Sequence, residues 1–371
     1  MAVGPEAAWV LSPQSEPHTL ASIATVTLRI AFDATYQRQP DGGIARYGRQ
    51  LTAALRARGD VEVIEIGGGP TQKRGTLRRH FITLGVDLVW HPALGRVRAE
   101  ATGADIYHCP GLRGPLTHGR IPIVVTIHDL VPWLNPELMS PLTRGHARLA
   151  QRRMARVADR VLCNSQDTAN DVERLFGVPA DRLRVTPLGV NPTFFEPVLG
   201  APPVDEPYVL FIGSEQPRKN LERLEEAVAI LRARGNPHVL VTAGADSWGR
   251  VDFGDTFVRK LGKVSDDELR RLYAGAACLA IPSLHEGFGL PALEAMAAGA
   301  PVVAANTGAL PEVTGGAAVL VDPLDVEDIA GGLERAISER DTWIAAGRRR
   351  AAEFTWARTA ELTMSAYREL V

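Results

Sequence analysis

From Leu28 onward the chain alternates short apolar runs with longer stretches whose apolar residues recur at helical spacing. Leu28 to Phe32 predicts a strand, Ile44 to Arg58 a helix, and Val61 to Ile66 a second strand. Further strands are expected at Ile106 to His108, Ile123 to Ile127, Val161 to Cys163 and Leu183 to Val185, with Arg-rich helical stretches between several of them. Near-continuous Val/Ile/Leu runs belong to strands buried on both faces. Alternating with helices, they build a parallel sheet.

The rhythm breaks where Pro192, Pro197, Pro202, Pro203 and Pro207 crowd together, as in a linker. It then restarts with a strand at Val209 to Ile212 and a helix at Leu221 to Arg234. Strands are expected at Val239 to Thr242, Val258 to Leu261, Cys278 to Ile281, Val302 to Ala304 and Ala318 to Val321. This pattern implies an α/β protein of two doubly wound, Rossmann-like halves, over 26–200 and 205–355, with a helix over 356–371 crossing back. Ligands of such sheets sit beyond the carboxyl ends of the strands, so two facing halves make a cleft. Residues 1–25 hold Pro, Ser and Glu and lack a basic start before an apolar core, and are expected to form a disordered extension rather than a signal peptide.

Composition narrows the function classes. The chain has 371 residues, 45% hydrophobic and 23% charged, with a net charge of -2. No basic field speaks for nucleic acid. Cys109, Cys163 and Cys278 are odd in number and far apart, so neither a disulfide framework nor a zinc site is expected. A reducing, cytoplasmic setting follows. No apolar run reaches the roughly eighteen residues of a membrane span. The Arg-rich stretch from Lys73 to Arg98 reads as a solvated helix. Contact with a membrane surface or a lipid-linked acceptor is its alternative, so any membrane association is at most peripheral.

The richest chemistry runs from Pro282 to Ala297, where a strand gives way to a helix. Gly287 and Gly289 let backbone amides approach a ligand, and Pro291 suits a first helical turn. Free amides at a helix start favour an anion such as diphosphate. Glu286 and Glu294, with seven residues between them, can grip two parts of one long ligand by accepting hydroxyl protons. After the first strand of this half, Gly213 leads into Arg218 and Lys219 at the start of a helix. Cations there oppose the helix dipole, which a resident anion would explain. Further on, Lys263 and Val264 occupy a turn, and Ser265 with Glu268 has the spacing of a capping box. Glu312 fits a helix start. In the first half, Gly42 and Gly43 open a helix, and His128 stands at a strand end facing the cleft, followed by Asp129. His108, also at a strand end, is a second cleft candidate.

The segment from Glu286 to Glu294, with Pro282-Ser283 before it and Ala298-Gly299-Ala300-Pro301 after it, resembles the Glu-x7-Glu motif of glycosyltransferase family 4, retaining enzymes of GT-B fold. The resemblance spans about residues 28–370. It implies that Arg218 and Lys219 contact the donor diphosphate, Glu286 the sugar hydroxyls and Glu294 the ribose. It further implies that Gly42 and Gly43 lie near diphosphate and acceptor, and that His128 contacts the transferred sugar. Gly213, Gly287, Phe288, Gly289 and Leu290 would complete the donor site, with Lys263 and Val264 flanking the nucleobase through backbone groups. The Asn306 to Glu312 stretch also matches a family loop. The donor would be a nucleotide sugar, with GDP-mannose favoured by family style over UDP-glucose or UDP-N-acetylglucosamine. The acceptor would be a glycan or a lipid-linked sugar. No cofactor is implied, since the donor is a substrate. The sequence has no Asp-x-Asp motif, and no divalent metal is expected.

Three other classes share parts of this pattern. A GT-B epimerase would process the donor without an acceptor. A binding or scaffold protein would have no need of both the Arg218-Lys219 and the Glu286/Glu294 sets. A Rossmann dehydrogenase needs Gly-x-Gly-x-x-Gly after a first strand, which neither Asp41-Gly42-Gly43 nor Gly213-Ser214-Glu215 supplies.

Overall fold

A computed structural model describes residues 27–35, 37, 43–67, 90, 93–111, 114–138, 141–244 and 257–371. The expected 1–25 extension, Gly42 and most of the Lys73 to Arg98 stretch lie outside the described residues.

The first half contributes β1 (Leu28–Asp33), β2 (Val61–Ile66), β3 (Ile106–Cys109), β4 (Ile123–Ile127), β5 (Arg160–Cys163) and β6 (Leu183–Val185). The second contributes β7 (Tyr208–Ile212), β8 (Val239–Ala243), β9 (Val258–Gly262), β10 (Cys278–Ile281), β11 (Val302–Ala305) and β12 (Val319–Val321). Among the described residues they form two six-stranded sheets, ordered β2-β1-β3-β4-β5-β6 and β12-β11-β10-β7-β8-β9. Neighbouring strands pair in parallel throughout. All residues of β4, β8 and β10 are buried, as two covered faces require. The expected strands are all present, several one residue longer.

Strand order reverses at β1/β3 in the first sheet and at β7/β10 in the second. A crevice opens beyond the carboxyl ends at each reversal. The loops after β7 and β10 carry the Arg218-Lys219 and Glu286 to Glu294 segments, so topology brings them to one crevice.

Local chemistry fixes the helices that frame it. Ser265 and Glu268 make the expected capping box for the helix Asp266–Gly275. The helix Leu290–Ala298 starts from Gly289 at φ 94°, a left-handed conformation that a side chain would strain, and carries Pro291 in its first turn. Residues Ala292 to Ala297 of this helix are all buried, and Glu294 is the one acid among them. The last helix, Trp356–Arg368, packs on the first, Gly43–Arg56. Its Tyr367 hydroxyl lies 2.5 Å from His108 Nδ1 in the first sheet.

Candidate active site

The loop after β7 is held by Asn220, whose left-handed backbone (φ 60°) ends the 3-10 turn Pro217–Lys219. The buried Asn220 amide donates to the carbonyls of Pro282 (2.9 Å) and Pro323 (2.6 Å). The Leu284 amide in turn donates to the Arg218 carbonyl at 2.8 Å. The two loops of the crevice are therefore one hydrogen-bonded unit.

Within that unit Arg218 and Lys219 close on a single carboxylate. Lys219 Nζ lies 2.5 Å from Glu286 Oε1, and Arg218 Nη1 lies 3.4 Å from Oε2. The fully buried Ser283 donates from Oγ to Oε1 at 2.7 Å. Burial alone would raise the Glu286 carboxyl, but Lys219 and Arg218 outweigh it and hold the group down at about 2. Two cations and one carboxylate leave one net positive charge at the crevice, which suits a diphosphate.

Glu294 is in the opposite electrostatic state. Burial pushes its carboxyl up to about 7, against the pull of Arg46 and the Tyr273 hydroxyl. Arg46 Nη1 donates to Oε1 at 2.6 Å, and Tyr273 donates to Oε2 at 3.2 Å. Arg46 belongs to the first helix, so this bond crosses the cleft.

His128 follows β4 and faces the same loop. Its Nε2 lies 3.0 Å from the Pro110 carbonyl oxygen. A carbonyl only accepts, so Nε2 carries the proton and the neutral ring keeps Nδ1 as an acceptor. Burial lowers the His128 pKa and favours that neutral form. The Tyr47 ring stands edge-on at 4.6 Å and fixes the imidazole plane. Asp129 turns its carboxylate to the Val131 amide at 3.4 Å.

The halves meet closely here. A Cβ on Gly287 would stand 2.1 Å from the His128 carbonyl oxygen, so only glycine permits this approach. Ser165 Oγ also donates to the Gly287 carbonyl at 2.8 Å. Glu312 accepts the Gln166 amide at 2.9 Å on both oxygens, so its helix-start role is played at a helix of the other half.

Several expected residues sit differently. His108 is fully buried beneath the cleft, between Tyr367 and Thr126 (2.8 Å), and burial lowers it to about 3. It ties the last helix to the sheet and does not line the cleft. Phe288 turns its ring onto Phe354, centroids 6.0 Å apart, leaving only its backbone to the loop. Gly213 adopts φ 153°, again suited to glycine. Around Gly43 a Cβ would meet nothing within 4 Å among the described residues, so packing does not demand glycine there. Lys263 is exposed, Val264 half-buried beside it, and Leu290 half-buried at the helix start. Sequence spacing did not show that Asp167, Asp171 and His285 converge, with potential ligand atoms within 4.8 Å of one another. Asp171 is also ion-paired with Arg174.

Residues 41–194 match the family model described as Glycosyltransferase Family 4, and residues 206–339 the one described as Glycosyl transferases group 1. The O-antigen chain mannosyltransferase B of Escherichia coli is 28% identical over 384 residues, covering 92% of this chain and 100% of that protein. The D-inositol 3-phosphate glycosyltransferase of Saccharomonospora viridis is 33% identical over 303 residues, covering 71% of this chain and 68% of that one. In fold, Anabaena HepE in complex with UDP-glucose superposes with a TM-score of 0.68 at 18% identity, over 92% of this chain and 100% of that chain. The two parallel six-stranded sheets make a GT-B fold, and the family models and relatives make the chain a glycosyltransferase. The chain belongs to the family 4 group of these enzymes.

Proposed function

We propose that the protein transfers a hexose, mannose from GDP-mannose, to a hydroxyl of a glycan or lipid-linked acceptor, with retention of configuration and without a divalent ion. The observation that carries this reading is the Arg218-Lys219-Glu286 cluster at the β7/β10 crevice, one net positive charge beside a helix start. Mannose is supported by the name of the Escherichia coli relative. UDP-glucose or UDP-N-acetylglucosamine is the second reading, favoured by the UDP-glucose complex of HepE.

In this reading the donor diphosphate takes Arg218 and Lys219, Glu286 holds sugar hydroxyls, and Glu294 accepts from the ribose. His128 Nδ1 accepts from the transferred sugar. The bond from the anomeric carbon to the β-phosphate oxygen breaks through an oxocarbenium-like state. The acceptor oxygen bonds to that carbon on the same face, and its proton passes to the leaving phosphate oxygen. The two cations and the loop amides stabilise the developing charge, the work a metal would otherwise do. Among the described residues no helix is long and apolar enough to cross a membrane. Peripheral contact at the cytoplasmic face would suit a lipid-linked acceptor.

The test is slow hydrolysis without acceptor, compared across GDP-mannose, UDP-glucose and UDP-N-acetylglucosamine. Preference for GDP-mannose is expected. A UDP-sugar hydrolysed faster would overturn the mannose reading and leave the transferase standing.

A further inference from the structure

Beside the diphosphate crevice, a second recess lies over the carboxyl ends of β7, β8 and β9. It is lined by Gly213, Glu215, Thr242, Gly244, Lys260 and Gly262. Its floor is bare backbone. Gly213, Gly244 and Gly262 all have positive φ, at 153°, 155° and 65°, and a Cβ on Gly244 would stand 2.0 Å from the Gly213 carbonyl oxygen. Against this floor stands a charged pair. Glu215 is only 7% exposed, and its Oε1 lies 2.5 Å from Lys260 Nζ. Thr242, 4% exposed, has no hydrogen-bond partner for Oγ1 among the described residues. Glu215 is buried while the Lys260 side chain stays 39% exposed, so the carboxylate lies in the wall of the recess with its ammonium reaching solvent. The buried, unpartnered Thr242 hydroxyl is costly in a protein that does not use it.

The recess shares Gly213 with the loop that carries Arg218 and Lys219, so a ligand whose diphosphate sits there has its other end within reach. A carboxylate beside an ammonium offers acceptor, acceptor, donor in a row. Guanine presents the complement along its Watson–Crick edge, with N2–H and N1–H as donors and O6 as acceptor. Uracil presents acceptor, donor, acceptor, which would set a carbonyl oxygen against the carboxylate. Adenine places its unprotonated N1 there instead.

We propose that Glu215 and Lys260 are specificity-determining residues that read a guanine base, Glu215 accepting from N1–H and N2–H and Lys260 donating to O6. This rests on the GDP-sugar reading above and deepens it. The backbone turn at Lys263 and Val264 supplies contacts any base could use, whereas this pair supplies discrimination.

Calorimetric titration of the whole protein with GDP, IDP and UDP tests it, since IDP keeps O6 and N1–H and lacks the 2-amino group. Wild type is expected to bind GDP about tenfold or more tighter than IDP, from one lost hydrogen bond to a charged group. Glu215→Gln should collapse that ratio towards one. Lys260→Met should weaken GDP and IDP alike and leave the ratio intact. The ratio is internal to each variant, so reduced stability does not imitate the effect. Equal binding of GDP and IDP by wild type, or an unchanged ratio in Glu215→Gln, overturns the assignment. If GDP still outcompetes UDP in that case, the guanine donor reading survives; if UDP binds best, both fall.

Discussion

Arg46 and Glu294 meet across the cleft, with 2.6 Å between Nη1 and Oε1, although 248 residues separate them in sequence. The pair joins the first helix to the carboxylate assigned to the donor ribose. Glu294 binds a ribose hydroxyl more strongly when ionised, since a protonated carboxyl keeps only its weaker neutral acceptor, and burial sets its carboxyl at about 7 while Arg46 pulls it down. Donor KM should therefore rise as pH falls below about 7. Arg46→Ala removes the pull, so the midpoint of the KM–pH curve should move upward, with KM at neutral pH about fivefold higher for the first unit moved and about tenfold for each further unit. Steady-state kinetics across the neutral range checks this, and a midpoint that stays in place removes Arg46 from the account.

Glu286 gives the opposite pH signature. Its carboxyl falls from an ordinary 4.5 to about 2 in the folded protein. A depressed acid contributes stability that is present above 4.5 and is lost as pH drops from 4.5 towards 2. The contribution is on the order of 3 kcal/mol. Glu286→Gln should lower the melting temperature at neutral pH and flatten the acid loss, measured by thermal unfolding against pH.

Gly287→Ala should separate the docking of the two halves from donor binding. An added methyl would strike the His128 carbonyl oxygen, which is backbone and gives little. Gly287→Ala should cut kcat at least about a hundredfold by misplacing the two halves. Under the proposed donor site Gly287 is one of many nucleotide contacts in the second half, so GDP affinity should fall far less than kcat. Parallel kinetics and calorimetry read the split, and equal losses in both would place Gly287 in the donor site proper.

Under the proposed mechanism chelation should leave turnover unchanged, because Arg218 and Lys219 would supply the charge at the leaving group. Activity lost with EDTA and restored by a divalent ion would direct attention to Asp167, Asp171 and His285.

Much of the fold was legible because parallel strands buried on both faces leave near-continuous apolar runs such as Ile123 to Ile127, which match their observed bounds. The Ser265 cap was legible because a capping box is local. The donor loop could be read as a motif, yet the pairing of Arg218 and Lys219 with Glu286 could not, since strand order alone brings those loops together. Arg46 and Tyr273 were missed for the same reason, since nothing near them in sequence names their partner, whereas Ser283 stands three residues from Glu286 and was read only as a flank of the motif. His108 was misjudged because a strand-end position does not say how much chain covers it, and here the last helix does.

The most direct test is the release of nucleoside diphosphate from sugar donors by wild type, Arg218→Ala, Lys219→Ala and Glu286→Ala at saturating donor. Wild type should turn over one donor, each cation variant should fall by about a hundredfold to a thousandfold, and Glu286→Ala should show no detectable turnover. Full activity in Arg218→Ala and Lys219→Ala would contradict the proposed diphosphate site.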